Sequence, residues 1–168
     1  MYRTTRETLA RALIDLERHV DATPGIIAWA EAARPSPVEG RVSPTALAEE
    51  RLIERLFQAT SDIGLIIVEW VVHREAGGYD EMVDILLQEG AIMPTTAAGI
   101  RELTESYRVI SRDYLTRRLD TRRALTAVLP ALRAFIREVR AFLAEERVDL
   151  ADVEDRLIAE DGDGHNQA

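Results

Sequence analysis

The apolar pattern around position 60 limits most what this chain can fold into. Leu52, Leu56, Ala59, Ile63, Ile66, Ile67 and Trp70 recur at helical spacing, and "GLIIVEWVV" is apolar nearly all round. A helix with apolar side chains on every side needs neighbours on every side. The stretch therefore predicts a central helix, covered by several others or by a second subunit. Ser43-Pro44 predicts its start, a cap residue ahead of a first-turn proline, and Gly77-Gly78 predicts its stop.

Helix signals dominate the rest of the chain, and strand signals are nearly absent. "TTRETLARALIDLERHV" offers Thr4 or Thr5 as a cap, followed by Glu7, and carries Leu9, Ala12, Leu13, Leu16 and Val20 on one stripe. Between Thr23 and Pro44 stand four prolines and two glycines, a density that breaks regular helices. Residues 23–44 are thus expected to be a long connection, with a short helical piece around Ile26 to Ala33. "YDEMVDILLQEG" reads as a shorter helix ending at Gly90, and "AIMPTTAAG" as a turn into a helix from about Thr96 through Leu115. Asp120-Thr121 caps the last long helix, whose inner face carries Leu125, Val128, Leu132, Phe135, Ile136, Val139, Phe142 and Leu143. Pro130 inside that pattern should bend it. The expected architecture is all-α: an antiparallel bundle of four to five helices. Residues 45–146 form its body, 1–22 pack on it, and 147–168 are an acidic, disordered tail.

Composition narrows the function classes. With 168 residues the chain has one domain's worth of core. It has no cysteine, which excludes disulfides and thiolate metal sites. The longest apolar run, "IGLIIVEWVV", contains Glu69 and falls short of the roughly 18–20 residues of a membrane span. The opening lacks the apolar core of a signal peptide, so a cytoplasmic location without membrane contact is expected. All 21 basic residues are arginine and the net charge is −9, which argues against blanket attraction to nucleic acid. The distribution is uneven. From Arg108 to Arg140 nine arginines face three acids, a net of +6; from Ala144 onward nine acids face two arginines, a net of −7. Glu145 to Asp163 would on this basis compete with RNA for the arginine segment.

Of the three histidines, His19 and His73 fall at ends of predicted helices and His165 in the tail. None has a partner at metal-ligand spacing on a buried face; Glu69 and His73 stand four apart, a spacing that reads as a surface contact. No phosphate loop is present, and neither metal nor cofactor is expected. What remains is "YRVISRDYLTRRLD", Tyr107 to Asp120. On spacing alone it reads as a solvated helix face. Asp113 and Arg117 pair at i, i+4 with the acid first, and Tyr114 could stack on Arg118.

From about Ala48 to Ala144 the chain resembles the HepT-like group of HEPN-domain proteins. The matches run in order: "ERLFQATSDIG", "GYDEMVDILLQEGAI" and "GIRELTESYRVISRDYL". The resemblance implies a four- or five-helix bundle that dimerises through long helices, with two signatures facing each other across a cleft. It implies metal-independent RNA cleavage, as the toxin of a toxin–antitoxin pair. The partner would be a small nucleotidyltransferase antitoxin, which in some pairs attaches AMP to a tyrosine. The family signature is an arginine, then a histidine within two helical turns, then a tyrosine. Arg108 matches the arginine and Tyr114 the tyrosine. The histidine position falls on Arg112 or Asp113, neither of which is histidine. Asp62 matches an aspartate of the family's central helix, but Leu65 and Ile66 stand where polar residues often follow it.

These departures are chemical. Cleavage through a ribose 2′-OH needs a group that exchanges a proton near pH 7, as histidine does and arginine cannot. Arginine can stabilise charge on phosphoryl oxygens. The resemblance thus implies an RNA- or nucleotide-facing protein with a degenerate ribonuclease site, weak or inactive. Arg108, Asp113 as a substitute base and Tyr114 would form its centre, while Arg112, Arg117, Arg118, Arg122 and Arg123 would contact RNA. The alternative is a non-catalytic helical dimer acting as a protein-interaction module.

Overall fold

The computed structural model describes residues 3–32 and 44–164. Among them every regular element is helical: α1 (Arg3–Ala32), α2 (Pro44–Trp70), α3 (Tyr79–Gln88), α4 (Pro94–Ser111), α5 (Thr121–Glu145) and α6 (Ala151–Gly164). No described helix is long and apolar enough to cross a membrane.

The central helix is α2. It touches α1, α3, α4 and α5, because its apolar residues point in all these directions at once. Ile53, Leu56, Ile63 and Ile67 are fully buried, and on α5 Leu132 and Phe135 are equally shielded. Pro44 opens α2 at its first helical position; the Ser43 cap lies outside the described residues. The helix stops at Trp70, before Gly77-Gly78. Val71 and Val72 both donate N–H to the Ile67 carbonyl, and Arg74 donates to Val68, with His73 in the left-handed region at φ 59°. At the far side, α5 runs antiparallel to α4, with Gly99 against Ala131. Glu138 of α5 accepts hydrogen bonds from the Met93 N–H at 2.9 Å and the Thr96 hydroxyl at 3.0 Å. It thereby satisfies open donors at the start of α4.

Several expectations need correction. First, the expected connection over 23–44 is helical as far as Ala32, and α1 passes through Pro24 without interruption. Proline removes one backbone donor, but Ala30 is fully buried and Ile26 and Ile27 pack on the main core. Packing thus outweighs the local preference. Residues 33–43 lie outside the described residues. Thr4 and Thr5 fall inside the first turn of α1 and not at its cap.

Second, the expected disordered tail over 147–168 contains α6, up to Gly164; residues 165–168 lie outside the described residues. Val153 and Leu157 bury themselves against Ala10 and Ile14 of α1, and Leu150 joins the main core. The bundle therefore has six described helices, where four to five were expected. Third, α4 ends at Ser111, four residues before Leu115. Pro130 lies within an unbroken α5, whose cap is Asp120 as expected, accepting from the Arg123 N–H at 3.0 Å.

Candidate functional site

The end of α4 and the start of α3 meet beside the middle of α2, and a cleft opens where they do. It is lined by Phe57, the 77–81 corner, Thr104, Tyr107, Arg108 and Arg112, and has a volume of about 470 Å³. That size suits a small molecule or a single nucleotide, since ligand pockets are commonly about 300–1,000 Å³.

Local sequence builds each wall. Gly78 is extended at the N-cap of α3 with no side-chain cap. Glu81 reaches back to accept the Gly77 N–H at 2.7 Å, which holds the corner against the helix start. Tyr79 is the first residue of α3, and its ring meets Phe57 edge-on, 78° between planes and 4.7 Å between centroids. Tyr107 lies parallel to Phe57, at 9° and 4.0 Å. On α4, Arg108 donates to Asp80 at 2.5 Å and lies 3.8 Å from Glu105. The hydrogen bond and charge of Asp80 hold the Arg108 guanidinium above its ordinary pKa, so it is a permanent cation. Arg112, which closes α4 by donating its N–H to the Arg108 carbonyl, has no ion-pair partner among the described residues.

The structure divides the residues expected to act together. Arg108 and Arg112 share the cleft. Asp113 and Tyr114 do not line it. Because α4 has already ended, both sit on a turn in which the Thr116 and Arg117 N–H groups donate to the Asp113 carbonyl. The Asp113 carboxylate pairs with Arg117 at 3.5 Å across that turn and not along a helix, and Tyr114 is 65% exposed. Arg117 is engaged more closely by Glu105 at 2.5 Å, the main cause of its raised pKa.

Arg122 is structural. It bonds the buried Glu49 carboxylate at 3.0 Å and reaches Glu31 at 3.0 Å, and Thr121 donates its hydroxyl to the same Glu49. These contacts join the end of α1 and the start of α2 to the start of α5. Arg118 and Arg123 are exposed, with no ion-pair partner among the described residues. Asp62 lies outside the cleft lining; partial burial holds its carboxyl above the ordinary 3.8, against the pull of Arg55.

Among the described residues, no carboxylate of the acidic C-terminal segment pairs with Arg112 to Arg123. Three of its carboxylates meet other arginines: Asp152 pairs with Arg6 at 2.8 Å, Glu160 with Arg11 at 3.7 Å and Glu154 with Arg140 at 2.9 Å. The reason is geometric, since α6 packs on α1.

The aromatic wall is what residue-by-residue reasoning missed. Phe57, Tyr79 and Tyr107 are far apart in sequence, and only Tyr107 stood in the stretch that drew attention. The double glycine before Tyr79 was the one available signal, as a backbone corner next to an exposed aromatic.

No protein-family model matches this chain, and no curated protein matches it. Among solved structures it is similar to YutE, a cytosolic protein of unknown function from Bacillus subtilis. The two are 20% identical with a TM-score of 0.59, over 80% of this chain and 92% of that one. Identity at that level carries the fold alone: the helical arrangement described above is shared with YutE.

Proposed function

We propose that this is a HepT-like HEPN protein of a toxin–antitoxin type system, a homodimer whose cleft faces RNA and whose ribonuclease site is degenerate. The observation that carries the reading is the presence of Arg108 and Arg112 in one cleft with no imidazole among its described lining residues. Two guanidinium groups can hold a phosphodiester and stabilise charge on it. Neither can take the 2′-OH proton, because arginine stays protonated. Asp113 does not line the cleft and is engaged with Arg117, which leaves it badly placed as a base. Losing a general base costs about 10²–10⁴-fold in rate. The site therefore binds RNA and cleaves it slowly or not at all.

The test is a ribonuclease assay in chelator, run beside RNA binding at several salt concentrations. We expect binding that weakens steeply with salt, is reduced by Arg108→Ala, and is accompanied by little cleavage. Robust metal-free cleavage abolished by Asp113→Asn would overturn this assignment, and so would an affinity indifferent to salt. Co-expression with a small nucleotidyltransferase, followed by intact mass, tests the partner: an added AMP on Tyr114 supports the pair.

One observation favours the second reading, a non-catalytic helical dimer that binds another protein. Tyr114 and Leu115 are 65% and 83% exposed on the turn after α4, more apolar surface than a solvated turn needs. Retained partner binding in a variant that has lost all RNA affinity would favour it.

A further inference from the structure

We infer that Tyr79, Phe57 and Tyr107 are a stacking platform for one unpaired nucleobase, with Arg112 taking the adjoining phosphate. The inference rests on the RNA-facing reading and adds which part of the RNA is held: a nucleotide of a single strand, not of a duplex.

Three observations carry it. The first is the aromatic geometry. Phe57 is buried and fixes both tyrosines, one parallel and one edge-on. Tyr79 is nonetheless 40% exposed, Tyr107 is half-buried, and all three rings line the same cleft. Neither tyrosine hydroxyl has a hydrogen-bond partner among the described residues. Rings held rigidly from behind lose little freedom when a base stacks on them, and every base presents a π face.

The second observation is the division of the cations. Arg108 is already held by Asp80 and flanked by Glu105. Arg112 is the cation of the cleft without a carboxylate among the described residues, and so the one open to a phosphate without displacing a carboxylate. The third is the charge around it. Asp80 and Glu81 also line the cleft, and their carboxylates repel a polyanion laid along that side. A single nucleotide can enter with its base toward the tyrosines and its phosphate toward Arg112. A duplex cannot, because its bases are already stacked and paired.

Fluorescence anisotropy with the full chain tests this using three labelled probes. They are a single-stranded oligoribonucleotide, the same strand annealed to its complement, and an abasic strand of equal length and charge. The single strand should bind more tightly than the abasic one by about 5- to 150-fold, which corresponds to about 1–3 kcal/mol for one stacked base. Tyr79→Ala, at an exposed helix start, should remove most of that preference, and Tyr79→Phe should keep it. Arg112→Ala should weaken the single and abasic strands alike. Equal affinity for single-stranded and abasic RNA, or for single strand and duplex, overturns the platform while leaving phosphate binding in place. A base preference that survives both Tyr79→Ala and Tyr107→Ala also overturns it. Failure to bind any of the three probes overturns the RNA-facing reading and the platform together. Circular dichroism confirms that each variant remains helical.

Discussion

Arg108 is where the chemistry of the cleft turns on a single contact. Its bond to Asp80 joins two exposed side chains, and such pairs contribute little because solvent screens them. A phosphate can therefore displace the carboxylate at small cost, but not at none. Asp80→Asn removes the competitor and one repulsive charge, and should tighten RNA binding by up to about fivefold, the most that an exposed pair of this kind represents. Binding isotherms at low salt check this, and unchanged or weaker affinity would show that Arg108 does not meet phosphate. The sequence singled out Arg108 and Arg112, and the structure brings both into one cleft. It could not show that Asp80 occupies Arg108, because Asp80 lies on another helix. Nor could it show that Asp113 lies outside the cleft lining, on a turn after α4 has ended at Ser111.

At the scale of elements, the contact between α4 and α5 is set by two small residues. A Cβ added at Gly99 would overlap the Ala131 methyl, which is fixed to its own helix. Gly99→Ala should push the helices apart and destabilise the fold by about 1–3 kcal/mol, the usual cost of overpacking. Gly64→Ala provides the contrast. Its new Cβ would meet Met82 Sδ at 2.5 Å, but a thioether can change rotamer. Thermal unfolding should show the larger drop for Gly99→Ala; the reverse order would mean that Ala131 yields more easily than Met82. The long helices were legible because their apolar periodicity is written locally, as with Leu52 to Trp70 and Leu125 to Leu143. The continuation of α1 past Pro24 was not. What supports it is the burial of Ala30 and the packing of Ile26 and Ile27 on the core, partners that no local window contains.

At the scale of the whole molecule, the basic and acidic segments touch through one ion pair among the described residues, Arg140 with Glu154. Opposite charge along the chain suggested that Glu145 to Asp163 would compete with RNA for the arginine segment. Among the described carboxylates, Asp152, Glu160 and Glu154 meet Arg6, Arg11 and Arg140, and none meets the arginines from Arg108 to Arg123, with α6 lying on α1. Ending the chain after Glu146 removes Leu150, Val153 and Leu157, all buried, and exposes Ala10 and Ile14. We expect a loss of about 2–4 kcal/mol by denaturant unfolding, part of the burial energy being offset by the chain entropy released. RNA affinity should change little; marked tightening would mean that the segment does reach the cleft. By itself the sequence determined that the chain is helical, that α2 lies at its centre, and that arginines gather at the end of α4. These are properties of spacing and residue type, and both act over a turn or two of helix. Only the tertiary structure decided which carboxylate meets which arginine, that α6 folds onto α1, and that Phe57, Tyr79 and Tyr107 share one wall. Ion pairing and stacking act through space, between residues the chain keeps far apart until the core has formed.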